Sequence, residues 1–129
     1  MDTLGALLSI IKTVEGLLSK VLGKRGIRIT YKIEAVTAMQ RAINATETYL
    51  AKSKKQIEPN SQLADLWLTA FEKMLRIDKP LARKLRHTSN FWSNPEKWTN
   101  EQSAMELLPD LKDLYEQCEQ ILIELERRK

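Results

Sequence analysis

Apolar residues in this chain recur at alternating spacings of three and four over most of its length, a period that belongs to amphipathic helices and not to strands. Leu4, Leu7, Ile11, Val14, Leu18 and Val21 form one such stripe, widened by Leu8, Ile10, Leu17 and Leu22. Ile33, Val36, Met39, Ile43, Thr46 and Leu50 form a second, flanked by Ala35, Ala42 and Tyr49. A third run holds Leu63, Leu66, Trp67, Leu68, Ala70, Phe71, Met74 and Leu75, with Asp65, Thr69, Glu72 and Arg76 as a narrow polar line. A helix apolar round so much of its circumference is expected to sit centrally, with Trp67 in the core. Ala104, Leu108, Leu111, Tyr115, Cys118, Leu122 and Leu125 make the last stripe, joined by Leu107, Leu114 and Ile121. Pro109 falls inside it. A proline removes one helical hydrogen bond and clashes with the preceding turn, so a kink or break is expected near Leu107.

The punctuation between these runs is sparse. Gly23-Lys24-Arg25-Gly26 ends the first, Pro59-Asn60-Ser61 opens the third, and Thr99 with Gln102 makes a capping box for the last. Gly26–Ile33 alternates apolar and polar residues like a strand, but no second such run exists to pair with it. It therefore reads as an extended connection entering a helix at about Thr30. Asp78 can cap a helix whose first turn holds Pro80, with Leu81, Ala82 and Leu85 as its apolar face. After Thr88 that pattern stops. The fold class expected is all-α: a single domain over 1–129 with four long helices at about 3–23, 30–54, 61–77 and 100–127, and a short helix at 79–88. With 129 residues such a chain buries roughly two-thirds of its unfolded surface without disulfides or metals.

Charge is uneven along the chain. Residues 1–55 carry ten Lys/Arg against four Asp/Glu, whereas residues 99–129 carry four against eight. Either a basic face meets an acidic partner, or the acidic last helix lies beside the basic N-terminal half; the second is favoured. The single cysteine cannot form an intramolecular disulfide, and Asp2 stands where a secretory leader would be basic, so a cytoplasmic location is expected.

Chemistry finds little to work with. The only histidine, His87, and the only cysteine, Cys118, lie in a basic run and at a core-register position, and read as surface imidazole and buried thiol. Metal-ligand spacing is missing: Lys84 stands three residues before His87, where a di-iron bundle needs Glu. Gly23-Lys24-Arg25-Gly26 lacks the spacing of a phosphate-binding loop. No enzymatic activity, cofactor or small-molecule substrate is expected.

Three candidate surfaces remain. Phe91, Trp92 and Trp98 are too large to leave in water together and are expected to plug one end of the bundle or to dock a partner. Arg83, Lys84 and Arg86, on a basic helix after a short turn, have the outline of a helix-turn-helix recognition helix. The stripe Leu4, Leu7, Leu8, Ile11, Val14 and Leu18 resembles the short cationic amphipathic peptides that lie on membranes and, more loosely, the leading helix of four-helix-bundle cell-death executioner domains.

Leu66-Trp67 with Ala70, then Asp78, Leu81-Ala82 and Leu85, then Phe91-Trp92-Ser93-Asn94-Pro95 to Trp98, resembles a group of small uncharacterised bacterial helical proteins. These pair a Leu-Trp helix with an aromatic-Trp-x-Asp/Asn-Pro-x-x-Trp box. The resemblance covers the middle third of the chain and implies a helical fold without an activity. His87-Thr88-Ser89-Asn90 departs from the Lys-Gly-containing run of that group.

The function expected is binding by a small non-enzymatic helical module acting through protein-protein contacts. Its apolar surface looks larger than one core can hide, so a protein partner or self-association as a homo-oligomer is expected. Membrane association through residues 1–22 is the alternative, and nucleic-acid binding through helix 79–88 the second.

Overall fold

The computed structural model describes residues 3–52, 58–93 and 107–129, with side chains from Leu8 onward. Helices make up 85% of it and no strand occurs among the described residues, so the all-α reading holds. The helices are α1 (Thr3–Leu18), α2 (Ile29–Lys52), α3 (Ser61–Met74), α4 (Lys79–Ser93) and α5 (Leu108–Arg128). A 3-10 turn, Ser19–Val21, prolongs α1 and buries Val21.

Each helix packs chiefly on two others, in the closed order α1, α4, α3, α2, α5 and back to α1. Directions follow from cross-links. The Tyr49 hydroxyl on α2 exchanges hydrogen bonds with the backbone of Glu58, just before α3, and at the far end of this pair Arg76 stacks on Tyr31; α2 and α3 are antiparallel. Asn60 N donates to Trp92 O at 3.1 Å, which sets α4 antiparallel to α3. Gln117 reaches the carbonyl of Glu15 and Arg128 that of Leu22, so α5 runs parallel to α1. The bundle thus has one end made by the α1–α2 and α3–α4 loops and the C-terminus of α5, and an opposite end carrying the aromatic residues.

The acidic last helix lies between α1 and α2, beside the basic N-terminal half. Its own charges follow its dipole, with Asp110 in the first turn and Arg127 and Arg128 in the last. Pro109 sits in the first turn of α5, just after its first residue Leu108, where its missing N–H breaks no bond of the described helix. The capping pair Thr99 and Gln102 lies outside the described residues.

Two expectations need correction. The basic helix does not stop at Thr88: α4 continues to Ser93 and carries Phe91 and Trp92 within it. Its buried stripe is Leu81, Leu85, Thr88 and Trp92, and the two polar residues that hide the period are satisfied internally. Thr88 Oγ1 donates to Lys84 O at 3.0 Å, and Ser89 Oγ donates across to Ala64 O at 2.7 Å. Nor is α3 central. It forms one wall of the closed order, ending at Met74, with Asp65, Thr69, Glu72 and Arg76 exposed and Leu66, Leu68 and Phe71 half-buried.

Candidate functional site

The loop end of the bundle is built around Lys32, the one lysine of the described residues that is buried. Its Nζ donates to the carbonyls of Lys24 (2.6 Å) and Leu22 (3.3 Å), holding the α1–α2 loop against α2. Gly26, at φ 75°, supplies the left-handed turn that the loop needs, a conformation strained for residues with a Cβ. Burial, with the Arg128 guanidinium nearby, pushes the Lys32 ammonium below the ordinary lysine range. The loop so held presents Lys24, whose Nζ lies 3.3 Å from Asp78 Oδ2. Asp78 is buried, and its Oδ1 accepts from Leu81 N at 2.9 Å, capping α4 as expected. Around this pair stand Lys20, Arg25, Arg28, Arg76 and Lys79, all exposed. Arg28 and Arg76 both lie over the Tyr31 ring, at 5.9 and 5.0 Å from its centroid.

From Tyr31 a groove runs along the outside of the α2–α3 pair. Its first part, about 330 Å³, is lined by Tyr31, Glu34, Thr69, Glu72, Lys73 and Arg76. The second, about 280 Å³, shares Glu34, Thr69 and Lys73 and has an apolar floor of Ile33, Ala38 and Leu66. Arg41 stands at its far rim. Spacing along the chain does not single out this groove, because its lining alternates between two helices some thirty residues apart.

The predicted sites are dispersed. Trp92 is fully buried at the aromatic end, edge-on to Tyr49 (5.6 Å) and Phe91 (5.2 Å), with Phe91 half-buried. Trp98 lies outside the described residues. Arg83 and Arg86 are exposed on α4 and Lys84 is half-exposed, but the Arg86 guanidinium lies over the Phe71 ring of α3, 5.2 Å from its centroid. Of the membrane stripe, Ile11, Val14 and Leu18 are buried in the core and Leu8 is half-buried against it. The backbone of Leu4 and Leu7 belongs to α1, and their side chains lie outside the described ones. No helix of the described residues is long and apolar enough to cross a membrane.

Glu15 on α1 faces α5, where burial first and then the charges of Asp110 and Asp113 raise its pKa, against a smaller opposing effect of Lys12. One of its carboxylate oxygens is buried without a hydrogen-bond partner among the described residues. Cys118 is fully buried on α5 and His87 exposed on α4, two helices that are not neighbours in the closed order. Burial, with Glu119 nearby, pushes the Cys118 thiol up to about 12. No cluster of three or more His, Cys, Asp and Glu suited to a metal ion occurs among the described residues.

Comparison with known protein families, with curated proteins and with solved structures finds no match. Only Leu75 and Ile123 are large hydrophobics exposed among the described residues, at 41% and 46%. Among the described residues most of the large apolar side chains are thus taken up within the bundle itself.

Proposed function

We propose that this protein acts by binding, as a small non-enzymatic helical module whose protein-protein contacts run through the α2–α3 groove. The observation that carries the proposal is the groove itself: an apolar floor of Ile33, Ala38 and Leu66 between rims of mixed charge, Glu34 and Arg41 on α2 with Glu72 and Lys73 on α3. Two parallel walls of this kind receive the apolar face of a third helix. The alternating signs on the rim suit either a partner helix or a second copy of this chain related by a two-fold axis. With so little large apolar surface left exposed, the contact belongs to the reversible class that is made and broken by folded partners.

The test is light scattering across a concentration series, with a photo-crosslinking residue at Thr69, which lines both parts of the groove. Self-association through this face predicts a mass that rises with concentration and crosslinks between copies, both abolished by Leu66→Glu. A constant monomer mass removes the self-association, and crosslinks from position 69 to no other protein in the cell of origin would remove the groove as a docking site.

A further inference from the structure

We propose that the loop end of the bundle is a docking plate for anionic lipid membranes, which meets the α2–α3 groove only at Tyr31 and Arg76. Its cations come from stretches far apart in sequence: Lys20, Arg25 and Arg28 around the α1–α2 loop, Arg76 and Lys79 around the α3–α4 loop, and Lys129 after α5, all exposed. The lattice of bonds described above brings them to one end. Lys24 bonds to Asp78, Arg128 to the Leu22 carbonyl, and Arg28 and Arg76 share the Tyr31 ring.

The carboxylates at this end are partly engaged. Asp78 is buried against Lys24, and Glu124 pairs with both Arg127 and Arg128; Glu126 stays exposed beside them, and Glu34 and Glu72 are exposed where Tyr31 and Arg76 meet the groove. Among the described residues the opposite end is acidic by contrast, with Glu47, Glu58, Asp65, Asp110 and Asp113 against Lys12, Lys52 and Lys112. The described residues are therefore polarised along the bundle axis, and an anionic surface would orient them with the loops facing inward.

Two features favour a bilayer over a nucleic acid or an acidic peptide. The cations spread over the ends of several helices, a disc two to three helix diameters wide at about 10 Å each, whereas a strand or peptide engages a stripe. Leu75 stands exposed within the disc, at 41%, next to Arg76 and four residues before Lys79. An apolar side chain ringed by cations suits the boundary between headgroups and acyl chains, where both kinds of contact add.

The experiment is flotation of the full chain with phosphatidylcholine vesicles, with and without phosphatidylserine, at about 0.15 M salt. Binding is expected only with phosphatidylserine, and is expected to fade as salt rises. Arg25→Glu with Lys79→Glu should lower partitioning at least 25-fold, about fivefold for each basic residue lost near the surface. Lys52→Glu with Lys112→Glu makes the same change in net charge at the other end and should leave partitioning within twofold. Leu75→Ser should weaken it several-fold. Glutamate in the first turn of α4 agrees with the helix dipole, and Arg25→Gln with Lys79→Gln serves if the reversed pair does not fold. The proposal is overturned by equal binding to neutral vesicles, by equal loss from the two pairs, by binding that survives high salt, or by capture of oligonucleotides or polyglutamate without vesicles. Failure here leaves the groove untouched, since none of the four lysine and arginine positions lines it.

Discussion

The indole N–H of Trp67 donates to the hydroxyl of Thr46 at 2.9 Å, and that hydroxyl in turn donates to the carbonyl of Ala42 at 2.7 Å. Both residues are buried, so a polar chain ties α3 to α2 within the core. Thr46→Val keeps the shape and removes the acceptor. An unsatisfied buried donor costs about 1–3 kcal/mol, so urea unfolding of the variant should show that loss. Adding Trp67→Phe removes the donor as well, and the double variant should lose less than the sum of the two single ones.

Asp78 has two separable roles, one for each carboxylate oxygen. Asp78→Asn keeps an acceptor for Leu81 N and gives up the attraction to Lys24, which is 39% exposed and hence screened. It should cost less than about 1 kcal/mol. Asp78→Ala removes the cap as well, worth about 0.5–2 kcal/mol by itself, and leaves a buried N–H without its partner. Thermal unfolding should rank wild type, Asn and Ala in that order, and amide exchange at Leu81 should accelerate only in the alanine variant.

Glu15 is held above its ordinary pKa of 4.5, so the folded state binds its proton more tightly than the unfolded one does. Stability from this group is therefore fully present below about pH 4.5 and is lost as pH rises through the folded pKa. Glu15→Gln removes the penalty of the buried charge. Denaturant midpoints should show the glutamine variant more stable than wild type at pH 7, with the gap closing below pH 4.5. No gap at pH 7 would mean that the carboxylate is well solvated.

The Cys118 thiol, fully buried and raised to about 12, stays protonated at pH 8 and out of reach of reagents. A disulfide reagent should label it at the rate of unfolding in water and rapidly in urea. Prompt labelling of the native protein would show that α5 opens away from α1 and α2.

Much of the fold could be read from spacing alone, and the misses have physical causes. The stripes of α1, α2 and α5 were visible because their core positions are aliphatic. The last turn and a half of α4 was not, because Thr88 and Ser89 occupy core positions and satisfy their hydroxyls on carbonyls, one of them from another helix. Lys32 was equally hidden: a lysine in an alternating run reads as solvent-facing until the carbonyls of Leu22 and Lys24 are seen to receive it. The groove and the basic end were beyond periodicity in kind. Each gathers residues from separate stretches, and only the direction of each helix, which spacing does not encode, brings them together.

Because α1 packs on α4 and α5 rather than on its neighbour α2, the order of synthesis and the order of assembly diverge. As the chain leaves the ribosome, α1 emerges first and must wait for partners more than sixty residues away. The pairs α2–α3 and α3–α4 can form locally and early, while contacts of long separation form late. The seat between α1 and α2 is filled only when the final segment, α5, has been made. Until then Ile11, Val14 and Leu18 have, among the described residues, chiefly α4 to cover them, so a ribosome stalled before residue 108 would hold a nascent chain with a sticky α1, the natural client of a chaperone.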